Sequence, residues 1–307
     1  MDVSIIIVNY NTSTLVKDCV RSIVEKTKGI DYEVIIVDND SEPKFQSIIS
    51  EAITPDLIEN FKFIRLPENI GFGRANNEGI KIANGRNIFF LNPDTLLLNN
   101  AIKILSDFLD SHPKAGACGG NLFDNDYKPT TSFKRFLPGF FWELNELTNN
   151  LPEKLLYKPN REFNHTSQCL KVGFISGADL MVKKIALSDT KGFRKEYFLF
   201  FEETDLCFRL KKYGWEIYNI PSAHIQHLES KSFNPSESLQ SEFKIKHIER
   251  SRIVFYNLNK KSFSRNLFLL MYKMSLDMRI LLIKNQPKKN YYRQRKKYFL
   301  CNKFPYC

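Results

Sequence analysis

Ile88-Phe89-Phe90-Leu91-Asn92-Pro93-Asp94-Thr95 is the stretch on which the fold turns. Four consecutive apolar residues read as a strand buried on both faces, which is the habit of parallel sheets. The strand then delivers a carboxylate, Asp94, at its C-terminal end, where open α/β sheets bind their ligands. A carboxylate there can hold a divalent cation against a diphosphate. Asn-Pro-Asp is also common turn chemistry, so the reading rests on what surrounds it.

Upstream, Val3-Ser4-Ile5-Ile6-Ile7-Val8 is a second such run. Thr12, Ser13 or Thr14 can cap a following helix with Leu15, Val16, Cys19, Val20, Ile23 and Val24 on one face. Glu33–Val37 and Phe61–Leu66 read as further strands, Gly73–Ala83 as a helix stopped by Asn84-Gly85, and Ala101–Leu109 as another helix. Strand alternating with helix at this rhythm predicts a doubly wound α/β sheet. Asp124–Leu170, rich in Asn, Pro and aromatics, shows no period and is expected to be a flexible insertion. Order resumes at Val172–Val182. Phe201–Tyr213 is expected as a helix, Trp215–Ile220 and Ala223–Leu228 as two short strands, and Pro235–Asn259 as a helix.

With 307 residues, 43% of them hydrophobic, the chain can bury a full core. The net charge of +11 is unevenly spread. From Lys260 onward there are 13 Lys/Arg against one acid, Asp277, so the body before it is close to neutral. That argues against a nucleic-acid-binding fold and for an acidic surface met by the tail alone. The six cysteines have no C-x-x-C spacing and suit a reducing compartment, although Cys301 and Cys307 could bridge in an oxidising one. The chain starts straight into a strand, which predicts no signal peptide, and no apolar run is long enough to cross a bilayer.

Several side chains carry possible chemistry. The exit of the first strand, Asn9-Tyr10-Asn11, can hold a planar base, with Tyr10 stacking and backbone near Val8 reading its edge. Asp38 and Asn39 end the neighbouring strand and can bond a base edge or ribose hydroxyls. Gly71-Phe72-Gly73-Arg74 lacks the third glycine of a dinucleotide fingerprint and follows the third strand, which counts against hydride transfer. Its glycines admit close backbone approach, and Arg74 can meet a base carbonyl or phosphate. In Phe198-Leu199-Phe200-Phe201-Glu202-Glu203-Thr204-Asp205 an acidic cluster opens a helix, whose dipole favours ionised carboxylates and so a base at neutral pH. His224 and His227 fall on opposite faces of a strand, so at most one serves a given site. Each of these motifs also has an ordinary structural explanation when taken singly: capping, a solvated Arg, a core aromatic.

Taken together the segments resemble a family 2 glycosyltransferase of the GT-A nucleotide-sugar-binding fold, within it the bacterial rhamnosyltransferase-like branch. The stretches that carry the resemblance are Val3–Thr12, Val37–Ser41, Asn69–Gly79, Phe89–Thr95, Gly177–Val182 and Phe198–Arg209 with His227. The resemblance implies a GT-A domain over residues 1–232, with a nucleotide-binding half at 1–120 and an acceptor half at 121–232 that contains the 124–170 insertion. A helical basic extension, 233–307, follows. It implies nucleotide binding by Val8, Tyr10, Asp38, Asn39, Arg74 and Asn92, and Mg²⁺ or Mn²⁺ held by Asp94 and His227. Glu203 would be the catalytic base, with Glu202 as fallback. Asn92 stands where many relatives carry an acid, and Ser230 stands where many carry Gly. The implied reaction is inverting, single-displacement transfer from a nucleotide sugar, dTDP-L-rhamnose first, to a saccharide or lipid-linked acceptor. The other readings are a catalytically impaired nucleotide-sugar-binding relative and a sugar nucleotidyltransferase. The latter should show a Gly-rich, Arg/Lys signature at the first strand, which is missing.

The tail, Leu267–Tyr272 through Ile280–Ile283 with Lys288-Lys289 and Arg293–Lys297, is apolar but broken by charge. It is expected to dock as an amphipathic helix on the cytoplasmic leaflet, which would make the protein cytoplasmic and peripheral.

Overall fold

The computed structural model describes residues 1–41, 60–228 and 237–303, with the side chains of 237–241 and 303 left aside. Its centre is a mixed sheet in the order β3-β2-β1-β4-β10-β6-β11-β5, with β8 beside β11. These strands are β1 (Val3–Asn9), β2 (Tyr32–Asp38), β3 (Phe61–Arg65), β4 (Asn87–Leu91), β5 (Thr95–Leu97), β6 (Ala115–Phe123), β8 (Leu170–Lys171), β10 (Asp179–Lys183) and β11 (Glu216–His227). β1 pairs in parallel with both β2 and β4, and β2 with β3. The chain order reverses at β1, which puts a crevice at the C-terminal ends of β1, β2 and β4. Beyond β4, the antiparallel β10 links the parallel core to β6.

Alternation along the buried strands sorts the core into two layers. Val3, Ile5 and Ile7 pack with Val34, Ile36 and Phe89 against α1 (Ser13–Lys26) and α3 (Ala101–Ser111). Ile6 and Val8 pack with Ile35, Val37 and Phe90 against α2 (Phe72–Ile82) and α7 (Glu202–Lys212). β-branched residues fill these strands because their stiff side chains fit a pleated, doubly covered surface. α2 ends one residue before Ala83. At Gly85 a Cβ would come within 2.4 Å of the Ser4 nitrogen, so only glycine lets the chain pass β1 there.

Three expectations change. The 124–170 segment is not irregular throughout: it carries β7 (Phe133–Lys134), which pairs with β9 (Phe174–Ile175), and two short helices, α4 (Phe140–Leu147) and α5 (Leu151–Tyr157). Its period is hidden because α4 buries Glu143 and Asn145, not only apolar residues, against the C-terminal helices. Trp215–Ile220 and Ala223–Leu228 form one strand, β11, because a register shift against β6 between Asn219 and His224 absorbs Pro221 without ending the strand. Thr12 precedes α1 without capping it through its side chain. Its hydroxyl is taken by Asn9 at 2.9 Å.

α6 (Lys184–Thr190) leads to α7, and α8 (Glu237–Asn259), α9 (Ser262–Leu282) and α10 (Gln286–Lys303) make the extension. They enclose a third core of Tyr197, Phe255, Tyr256, Phe268, Tyr272, Leu276, Tyr292 and Phe299. Buried ion pairs lace it: Glu249 accepts from Tyr272 at 2.7 Å and Arg295 at 2.6 Å, and Arg252 donates to Glu143 at 2.8 Å. Among the described residues no helix is long and apolar enough to cross a membrane.

Candidate active site

The exits of β1 and β2 are stitched together. Asn9 donates to Asp38 Oδ1 at 3.0 Å and to Ser41 Oγ at 2.7 Å, and Ser41 Oγ accepts the Asn11 N–H at 2.9 Å. Asn11 and Asp40 take positive φ, which their side chains tolerate better than most. Val8 and Asp38 are buried there, while Tyr10 is 49% exposed with its ring free to cover a ligand. Asn39 is spent on the neighbouring loop: its Oδ1 accepts the Ile70 N–H at 3.0 Å and its amide donates to Asn69 at 2.9 Å. Arg74 Nε donates back to the Ile70 carbonyl at 2.6 Å, which fixes the stem of a half-buried guanidinium at the start of α2. The segment that follows Ser41, where helix capping by Asp40 and Ser41 would act, lies outside the described residues, as do Ser230, Ser232 and Cys307.

The turn after β4 is closed by Thr95, whose hydroxyl donates to the Asn92 carbonyl at 2.7 Å. Cys19 lies beneath it, and burial pushes its thiol up to about 12, so it is an inert filler. β5 pairs with the end of β11, placing His227 opposite Thr95, and the Asp94 carbonyl accepts the Leu228 N–H at 2.8 Å. The buried Asp94 carboxylate and the imidazole thereby meet, with Oδ1 to Nε2 at 3.3 Å. His224 points elsewhere, its ring packing edge-on to Phe123. A hard carboxylate oxygen and an imidazole nitrogen side by side suit Mg²⁺ or Mn²⁺ completed by phosphate and water oxygens. Among the described residues no group of three metal-ligating side chains gathers, so such an ion would depend on its substrate for the remaining ligands.

Glu203 lies against Gly177, whose neighbour Ala178 bonds to Asn92. The Asn92 N–H donates to the Ala178 carbonyl at 3.0 Å, and a methyl on the adjacent Gly177 would stand 3.5 Å from Glu203 Cγ. Phe200 and Phe201, directly before α7, both have positive φ (66° and 68°). For aromatic residues this is strained backbone, of the kind retained where surrounding packing over-determines it. The clamp is visible. The Leu199 carbonyl accepts Ser251 Oγ at 2.9 Å, and the Phe198 carbonyl accepts the Phe72 N–H at 3.0 Å. Gly71 (φ +88°) backs onto Phe198 so closely that a Cβ would lie 2.4 Å from that carbonyl oxygen.

Burial raises the proton affinity of both Glu202 and Glu203, for Glu202 assisted by the charge of Glu203. Backbone N–H groups of the first turn and the Thr204 hydroxyl pull Glu203 part of the way back. Burial of Glu202 and Glu203 thus works against the helix dipole, which favours their ionised forms. The two differ in surroundings. Glu202 is buried against Gly73, its Oε2 without a hydrogen-bond partner among the described residues, while Glu203 is partly open.

Sequence reading missed the anchor of this helix. Asp205 accepts from Arg209 Nε at 2.7 Å, Arg194 at 3.0 Å, Tyr197 at 3.2 Å and Asn259 at 2.8 Å. Arg209 goes on to the carbonyls of Thr190 and Gly192. An acid and an arginine four apart on one helix are the local signal. Asn77 similarly grips Phe193 through both backbone groups, at 2.8 and 2.9 Å.

A mixed α/β sheet with a crevice at the C-terminal ends of its parallel strands, and Asp94 meeting His227 beside it, has the form of a ligand-binding α/β domain. The chain belongs to glycosyl transferase family 2, whose profile matches residues 4–186. It is 28% identical over 189 residues to N-acetylglucosaminyl-diphospho-decaprenol L-rhamnosyltransferase of Mycobacterium tuberculosis; that match covers 55% of this chain and 59% of the relative. It is 23% identical over 227 residues to rhamnosyltransferase WbbL of Escherichia coli, covering 69% of this chain and 79% of the relative. Among solved structures it superposes on mannosyltransferase PcManGT of Pyrobaculum calidifontis in complex with GDP-Man and Mn²⁺ with a TM-score of 0.60 at 14% identity, over 99% of this chain and 87% of that one. It superposes on S. aureus TarS 1-349 with a TM-score of 0.56 at 16% identity, over 98% and 81%. These likenesses establish the GT-A fold.

Proposed function

We propose that the protein is an inverting glycosyltransferase that moves a sugar, L-rhamnose from dTDP-rhamnose as first choice, onto a hydroxyl of a growing lipid-linked bacterial surface polysaccharide at the cytoplasmic face of the membrane. The observation that carries the reading is the 3.3 Å meeting of Asp94 with His227 where β5 begins and β11 ends. The sugar and acceptor follow the names of the rhamnosyltransferase relatives.

Val8, Tyr10, Asp38, Asn39, Arg74 and Asn92 line the nucleotide's place. Tyr10 covers the base, Asp38 turns an oxygen to it, and Arg74 supplies positive charge. Asn39 acts chiefly by holding the loop that leads into α2 and accepts from Arg74. Asp94 and His227 would hold Mg²⁺ or Mn²⁺, which when bound neutralises the charge of the departing diphosphate. Glu203 takes the proton of the acceptor hydroxyl as its oxygen bonds to the anomeric carbon. The bond from that carbon to the diphosphate breaks in the same displacement. One displacement inverts the configuration. The high proton affinity that burial confers on Glu203 strengthens it as a base.

Asn92, an amide where an acid is common in the family, favours one other reading: a nucleotide-sugar-binding protein with little turnover. A donor-hydrolysis screen over dTDP-, UDP- and GDP-sugars with Mg²⁺, Mn²⁺ or EDTA separates the two. Metal-dependent release of one nucleotide, lost in Asp94→Ala, supports the transferase. Calorimetric donor binding with no release, even with saccharide acceptors added, supports the binding protein. No nucleotide binding at all sinks both.

A further inference from the structure

The helical extension presents a surface that the active site does not use. α9 is apolar on two sides. Its inner side, with Phe268, Leu269, Met271, Tyr272 and Leu276, is buried in the third core. Its outer side carries Phe263, Leu267, Leu270, Met274, Met278 and Leu281, exposed by 38% to 83%. These six recur every third or fourth residue and so form one stripe along the helix. A continuous exposed apolar stripe of this length is a contact surface, not scattered exposure.

What the stripe contacts is indicated by charge. Lys261 and Lys284 stand exposed at its two ends, Arg265 lies half-buried in its first turn, and Lys288 follows. The single acid among described residues from Lys260 on, Asp277, is neutralised by Lys273 at 2.9 Å and Lys296 at 2.5 Å. The stripe is thus apolar, rimmed by cations, and shows no unneutralised anion. α4, tied to α9 through Arg279 and Glu146 at 3.2 Å, adds exposed Phe140 and Phe141.

We propose that the outer side of α9 is a bilayer-docking face. The stripe lies at the boundary of the acyl chains of an anionic membrane, and the flanking lysines and arginine sit among the headgroups. Two cations farther along the tail are turned inward instead: Arg295 is locked to Glu249 inside the protein and Lys296 is paired with Asp277. The face does not depend on which sugar is transferred.

The test is flotation of the full chain with phosphatidylcholine vesicles and with mixed phosphatidylcholine–phosphatidylglycerol vesicles. Wild type is expected to float with the mixed vesicles and hardly with the neutral ones. Leu270→Glu with Met274→Glu should weaken that partition by roughly tenfold or more, and Lys261→Glu with Lys284→Glu by about fivefold for each lysine. Thermal melting and soluble donor hydrolysis should stay as in wild type for both. Equal flotation of wild type and the glutamate pair overturns the proposal, as does failure of wild type to bind either vesicle. So does a wild-type dimer, seen by sedimentation without lipid, that Leu270→Glu converts to monomer, since a second copy would then be the occupant.

Discussion

Asn259, the last residue of α8, donates its side-chain amide to Asp205 Oδ1 at 2.8 Å, joining the C-terminal extension to the first turn of α7. With Ser251 holding the Leu199 carbonyl, this makes α8 the floor under the strained Phe200-Phe201 turn. The extension therefore packs directly against the turn that carries Glu203, and under the proposed function it would help to aim that side chain. Asn259→Ala should lower kcat by roughly tenfold, on the scale of a small misplacement of a reacting group, and leave donor affinity within about twofold. Steady-state kinetics paired with calorimetry reads the split. Equal loss in both would mean that the contact only supports the fold.

Asp205 itself faces a harsher outcome. It is fully buried and bonded to the buried Arg209. Asp205→Ala leaves that guanidinium without its charge partner, and breaking such a pair costs about 3–5 kcal/mol. Urea unfolding should show the midpoint falling accordingly, with any folded fraction retaining little activity. A loss below ~1 kcal/mol would show the pair to be dispensable.

Most of the fold could be read in the sequence because its strands are unbroken β-branched runs, buried on both faces and free of competing signals. Asp94, His227, Glu203 and Arg74 stand out in the sequence because short motifs put polar groups at strand and helix ends, and of these the structure brings Asp94 and His227 together. The anchors could not. Asp205, Asn77, Ser251 and Asn259 act across separations of tens to more than a hundred residues, as in Asn77 with Phe193, and nothing local marks an Asn as a long-range clamp. The 124–170 segment was misread for a related reason. Its short helices pair buried charge, Glu143 with Arg252, across the chain, so hydrophobic periodicity carries no trace of them.

Gly71 offers a test of backbone geometry. At φ +88° a side chain is strained, and a Cβ would fall 2.4 Å from the Phe198 carbonyl. Gly71→Ala must therefore push apart the start of α2, which carries Arg74, and the loop that precedes Glu203. Strain alone costs of order 1–3 kcal/mol. The expected result is a lower melting temperature together with weaker donor binding and slower turnover. Unchanged donor affinity would mean that the Gly71 loop lies away from the nucleotide.

The two adjacent glutamates can be told apart by pH. Both have proton affinities raised by burial, so each is protonated to a higher pH in the folded chain than in the unfolded one. Between the unfolded value and the folded one the native state binds more protons, so stability falls as pH rises. The stabilisation from Glu202 is complete below the ordinary carboxylate range and disappears as pH climbs through its raised folded value. Glutamine imitates the protonated acid. Glu202→Gln should therefore raise the melting temperature at pH 8, have little effect near pH 4, and keep most of the activity. Glu203→Gln should instead remove turnover by ~10²–10⁴-fold with donor binding preserved. In wild type, log kcat should climb with pH along an acid limb displaced above the ordinary glutamate range, because only the deprotonated Glu203 accepts the acceptor's proton. If Glu202→Gln were the silent enzyme and Glu203→Gln the active one, the roles would exchange, and the buried carboxyl beside Gly73 would be the base.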